Sequence, residues 1–162
     1  MLPKYIRLYI RLAAIAIASF LWFQPLTLAQ TAQTGYQIVH LPVTISTLEE
    51  QLAAAISKNS MTLVNRASAS DGAKGRGLSI RGDVVIGVFR NDYALRMLDA
   101  NVDAGIEAPI RFHLTQEADG TSSLRYYQPS AVFLRYEGEA IKALGRELDG
   151  VFAQIVKDAT AH

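Results

Sequence analysis

Hydrophobic positions along the chain follow two different periods. "YQIVHLPVTIS" (36–46) alternates, with Val39, Leu41, Val43 and Ile45 on one side and Ile38, His40, Pro42 and Thr44 on the other. A period of two is that of a half-buried strand. Pro42 has no amide to give to a ladder, which places this strand at an edge or at a bulge. "STLEEQLAAAISKNS" repeats at helical spacing instead, with Leu48, Leu52, Ala55 and Ile56 in one stripe. Thr47 with Glu50, or Ser46 with Glu49, fits the reciprocal box that opens a helix. "MTLVNRASAS" (61–70) predicts a second strand and "DGAKGRG" (71–77) a flexible loop. "DVVIGVFR" (83–90) predicts a third strand, apolar on both faces and therefore central.

Asn91 is placed to cap a second helix, "NDYALRMLDANV", with Asp92 at its positive end. "DAGIEAP" leads out, broken by Gly105 and Pro109. "IRFHLTQ" (110–116) and "SSLRYY" (122–127) predict a hairpin around "EADGT". "GEAIKALGRELDGVFAQIVKDA" closes the chain as a helix striped by Ile141, Leu144, Leu148, Val151, Phe152 and Ile155. The order is β-α-β-β-α-β-β-α. It predicts an α+β two-layer sandwich, with a mostly antiparallel sheet of about five strands, helices on one face and the other face free.

The hairpin register decides which side chains reach that free face. A two-residue Asp119-Gly120 turn would pair Leu114 with Arg125, an apolar with a charged residue. A three-residue loop, Ala118-Asp119-Gly120, pairs Glu117 with Thr121, Leu114 with Leu124 and Phe112 with Tyr126, with Gly120 in the left-handed position. Because a one-residue slip flips every side chain, the consistent register is the second. It puts Tyr126 in the core and leaves Arg111, His113, Arg125 and Tyr127 on the open face. Such residues on a sheet are often simply solvated; the functional readings are a face for a second copy of the chain, or a small-anion or small-molecule site.

The N-terminus changes the picture of the compartment. Lys4, Arg7 and Arg11 precede the apolar run "LAAIAIASFLWF" (12–23), and Thr27 and Ala29 follow. This is the layout of a secretory signal peptide over 1–29, cleaved after Ala29, with 30–35 a polar linker and 36–162 one domain. The alternative is an uncleaved anchor that tethers the domain to the inner membrane. Cleavage would release the domain to the periplasm or the medium. It would also leave thirteen basic against fifteen acidic residues, a net charge near −2, which speaks against nucleic acid. With 162 residues, half of them apolar, the chain is sized for one packed domain.

The candidate chemistry is sparse. There is no cysteine, so disulfides, thiolate catalysis and thiolate metal sites are excluded. His40, His113 and His162 lack the spacing of a metal site. "GAKGRG" has glycines and cations, but no helix is predicted to follow and cradle a phosphate. No G-x-S-x-G occurs. No catalytic residue, cofactor or metal is therefore assigned.

Taken together, "TLEEQLAAAISKNSMTLVNR", "VVIGVFRNDYALRML" and "DANVDAGIEAPIRFHLTQEADGTSSLRYYQPS" resemble the bacterial and archaeal family known as domain of unknown function 302, over roughly residues 45–159. Its hairpin pattern is carried here by Ala108, Pro109, Ile110, Arg111, Glu117, Asp119, Gly120, Tyr127 and Pro129. The resemblance implies a small dimeric domain with no established activity. Many relatives carry a Cys or Pro in the segment equivalent to 91–105; here it has neither, so a thiol-based role does not carry over. The expectation is an exported, non-enzymatic domain that dimerises or binds a small ligand or protein partner through its open face. The alternative is an enzyme or accessory factor whose active residues the sequence does not identify.

Overall fold

The structure is a computed structural model that describes residues 35–161; the expected signal segment and linker lie almost wholly outside them. The elements are β1 (Tyr36–Leu41), α1 (Ile45–Lys58), β2 (Thr62–Ser68), α2 (Ala69–Lys74), β3 (Asp83–Phe89) and α3 (Asn91–Ala100). A 3-10 helix (Val102–Glu107), β4 (Ile110–Gln116), β5 (Ser122–Tyr127), α4 (Pro129–Phe133) and α5 (Glu139–Thr160) complete the order. The five strands form one sheet in the order β1-β5-β4-β3-β2, and every neighbouring pair is antiparallel. The α+β class and the five-stranded antiparallel sheet are as the hydrophobic pattern predicts.

One side of the sheet is dry. Ile86, Phe112, Leu114 and Leu124 are fully buried there, against Leu48, Leu52 and Ile56 of α1 and Ile141, Phe152 and Ile155 of α5. Phe152 stacks on Phe112 with ring centroids 5.0 Å apart, and Tyr126 closes on Phe112 at 5.3 Å. Burying each such side chain contributes about 1.5–3 kcal/mol. The α1 stripe is the predicted one, and in α5 Val151 alone of the predicted stripe stays half-buried. The segment after β5 turns to this same side: Phe133 of α4 is buried in the core, and Asp149 Oδ1 accepts from Ser130 N at 2.9 Å. It does not wrap over the open face.

Local boundaries differ from the sequence expectation in four places. Thr44, not Ser46 or Thr47, caps α1, accepting from Thr47 N at 3.2 Å; β1 ends at Leu41, so Pro42 follows the strand and the helix starts early. The expected loop 71–77 contains most of α2, because Ser68 accepts from Asp71 N at 3.0 Å and caps a short helix. Asn91 is the first residue of α3 and does not cap it; Arg90 occupies the cap position with its guanidinium 3.8 Å from the Tyr93 ring centroid. The exit 103–109 is largely a 3-10 helix, opened by Asn101, which accepts from Asp103 N.

The hairpin has the expected register. Phe112 pairs with Tyr126 and Leu114 with Leu124; Glu117 N donates to Thr121 O at 2.8 Å, and Gly120 sits at φ 88°.

Candidate functional site

The pleat sends alternate residues of each strand away from the helices, and the pairing lines them up in rows. Tyr36 of β1 lies opposite Tyr127 of β5, next to Arg111 of β4, which lies opposite Gly87 of β3. In the next row Ile38 faces Arg125, Arg125 faces His113, and His113 faces Val85. The third row runs His40, Ser123, Thr115 and Asp83. Arg111, His113, Arg125 and Tyr127, the residues expected on the open face, are thus brought together on it.

All four, with Tyr36 and Val85, show what the face is made of. Arg111, His113 and Tyr127 line a concavity of 450 Å³ together with Tyr36, Val85, Arg125 and Tyr126. Small-molecule sites typically occupy about 300–1,000 Å³. By contrast, the cleft beneath Arg90 and Tyr93 on the helical side measures 30 Å³, scarcely more than the room for one water. The Tyr36 and Tyr127 rings form one wall, centroids 5.0 Å apart and inclined at 48°. Both are well exposed, at 40% and 54%.

The cations of the face are not equivalent. Arg125 donates to Glu117 at 3.0 Å and also to Thr115. His113 Nε2 lies 3.0 Å from Asp83 Oδ2. The Ser123 hydroxyl and the Arg125 guanidinium hold the Glu117 carboxyl below its ordinary range, as charge-assisted acceptors do. Arg111 is exposed and has neither an ion-pair nor a hydrogen-bond partner among the described residues. The uncommitted charge of the concavity is therefore a single guanidinium.

His40 Nδ1 lies 2.8 Å from Ser123 Oγ, and Ser123 in turn donates to Glu117. This places a serine between a histidine and a carboxylate, with the serine fully buried. A nucleophile needs its oxygen open to substrate and its base oriented by the acid; here the chain of contacts ties β1, β5 and the hairpin end together. Among the described residues no three His, Asp or Glu converge on a metal position, and no helix is long and apolar enough to cross a membrane.

Tyr36, Val85 and Tyr126 were not anticipated as lining residues. Alternation places Tyr36 and Val85 on the open side, but only the pairing of β1 with β5 and of β3 with β4 brings them to the same hollow. Gly87 has a close-approach role: a Cβ there would fall 2.1 Å from Asn65 Oδ1 and 2.9 Å from Pro109 Cγ.

A two-layer domain with one helical face and one open, tyrosine-walled and cationic face is the class these observations define. The chain belongs to the family described as domain of unknown function DUF302, whose model matches residues 37–156. It is similar in structure to the uncharacterized conserved DUF302 protein from Bacillus stearothermophilus, solved by crystallography. The TM-score is 0.70 at 17% identity, covering 77% of this chain and 98% of that one. That likeness shows the fold. No functionally curated protein matches the chain.

Proposed function

We propose that this chain is an exported, non-enzymatic binding domain whose open sheet face receives a small molecule. The observation that carries the reading is the 450 Å³ concavity on the uncovered face, in which Arg111 has no partner while the Tyr36–Tyr127 pair offers apolar surface. Export is supported by the charged, apolar and small-residue layout of residues 1–29. The buried position of Ser123 favours binding over hydrolysis.

The test is a thermal-shift screen of residues 30–162 against small metabolites. Compounds should raise the midpoint, and the Arg111→Gln, Tyr127→Ala double variant should lose those shifts while melting normally alone. Shifts that survive in the double variant place the binding elsewhere and sink the reading. A second reading, pairing of two copies through this face, is favoured by the exposed apolar Ile38 beside the tyrosines. Light scattering of the domain separates the two: a dimer that falls to monomer on Ile38→Glu supports pairing.

A further inference from the structure

We infer that the open-face concavity takes a small, singly charged organic anion with a flat unsaturated body, its anionic group on Arg111 and its body along Tyr127, Tyr36 and Val85. This rests on the reading of the face as a small-molecule site and names the chemistry of the occupant.

The charge state follows from the commitments of the neighbouring cations. Three cationic or protonatable groups line the hollow, but two are backed by carboxylates: Arg125 by Glu117 and His113 by Asp83. A multiply charged ligand such as a polyphosphate would have to approach one of those carboxylates to find a second cation. A single carboxylate meets the guanidinium of Arg111 alone, and its planar fork suits carboxylate oxygens. The face of another copy offers no such counter-charge, since its open-face acids, Asp83 and Glu117, are already engaged.

The shape of the body follows from the walls. Tyr36 and Tyr127 present inclined rings beside Arg111, and Val85 provides an apolar position opposite His113. Rings gain from offset or inclined contact with another π-system. An anion without a body, such as acetate, would use Arg111 only; a ring without a charge would use the tyrosines only. A ligand carrying both uses the hollow fully.

The experiment uses the domain of residues 30–162. The described residues hold their own core, and the solved relative adopts this fold over 98% of its own length. Amide NMR titrations with benzoate, benzamide and acetate are run at constant ionic strength. Benzoate should give saturable shifts centred on residues 111, 113, 125 and 127. Benzamide and acetate should each bind at least about tenfold more weakly, and Arg111→Gln should weaken benzoate by about tenfold. Arg111→Lys, which keeps the charge but loses the fork, should fall between. Arg111 has no partner to lose, so these variants keep the wild-type spectrum elsewhere.

Equal binding of benzamide, or benzoate binding unaffected by Arg111→Gln, overturns the anion inference while shifts on the same residues leave the face as a binding site. If no probe moves open-face resonances, the anion inference falls. The face reading then stands or falls separately, on whether compounds from the thermal-shift screen lose their effect in the double variant.

Discussion

Two glycines of α5 should respond to the same substitution with opposite signs. Gly145 is buried where α4 crosses the helix: a Cβ there would lie 2.7 Å from Ser130 Cα, 3.2 Å from Ser130 N and 3.3 Å from Phe133 Cδ2. Gly150 is exposed one and a half turns further on, with nothing within 4 Å of the same position. Replacing a helix-interior glycine by alanine contributes about 0.8–1.0 kcal/mol from backbone propensity. At Gly150 that gain is unopposed. At Gly145 the added methyl meets backbone atoms that cannot rotate away, and overpacking of that kind costs about 1–3 kcal/mol. Asp149 holds Ser130 in place through its amide, which limits the relaxation available. Gly145→Ala should therefore destabilise by up to about 2 kcal/mol net, and Gly150→Ala stabilise by about 1 kcal/mol. Urea unfolding followed by circular dichroism reads both, since 1 kcal/mol moves the midpoint by about 0.3–1 M. If Gly145→Ala stabilises as much as Gly150→Ala, the close crossing of α4 on α5 is not there.

Gly120→Val should cost about 1–2 kcal/mol from backbone strain alone, because Gly120 sits at φ 88° with open space around its missing side chain; a neutral result in urea unfolding contradicts the left-handed turn. Asp158 is pulled down to about 2 by hydrogen bonds from Lys58 and then Asn59, tying the end of α1 to the end of α5. A carboxyl whose folded value is depressed stabilises above its ordinary range and loses that contribution as pH falls through the folded value. Thermal midpoints should therefore drop for the wild type between about pH 4 and about pH 2 more steeply than for Asp158→Asn, and parallel curves would dismiss the contact. If residues 1–29 direct export, intact-mass measurement of protein recovered from the periplasm or medium should show a start at Gln30, whereas Met1 retained in a membrane fraction favours the anchored alternative.

The hairpin was legible because one chemical feature, a glycine at the third loop position, selects the turn and the turn selects the register. Once the register is known, the alternation sorts Tyr126 from Tyr127 and Phe112 from Arg111. The stripe of α1 was legible for the same local reason. The start of α1 was not, since several hydroxyl residues precede it and the end of β1 at Leu41 decides which one caps. The short α2 was masked by glycines at 72 and 75, although the Ser68–Asp71 spacing carries its capping signal. The concavity itself depends on β1 lying beside β5, strands separated by most of the domain, and no local period encodes that pairing. Nor does the pattern reveal that Glu117 neutralises Arg125 while Arg111 stays uncommitted.

The tyrosines of the domain are reporters placed on both sides of the sheet. Tyr36 and Tyr127 wall the concavity, whereas Tyr93 and Tyr136 pack on the helical side, Tyr136 donating to Glu107 at 2.7 Å. Fluorine NMR of the 3-fluorotyrosine-labelled domain, titrated with compounds that stabilise it, tests the open face most directly. Movement of the Tyr36 and Tyr127 resonances, with Tyr93 and Tyr136 unchanged, is the predicted result. Movement of Tyr93 or Tyr136 with Tyr36 and Tyr127 fixed would place the binding site on the other side of the molecule and contradict the account.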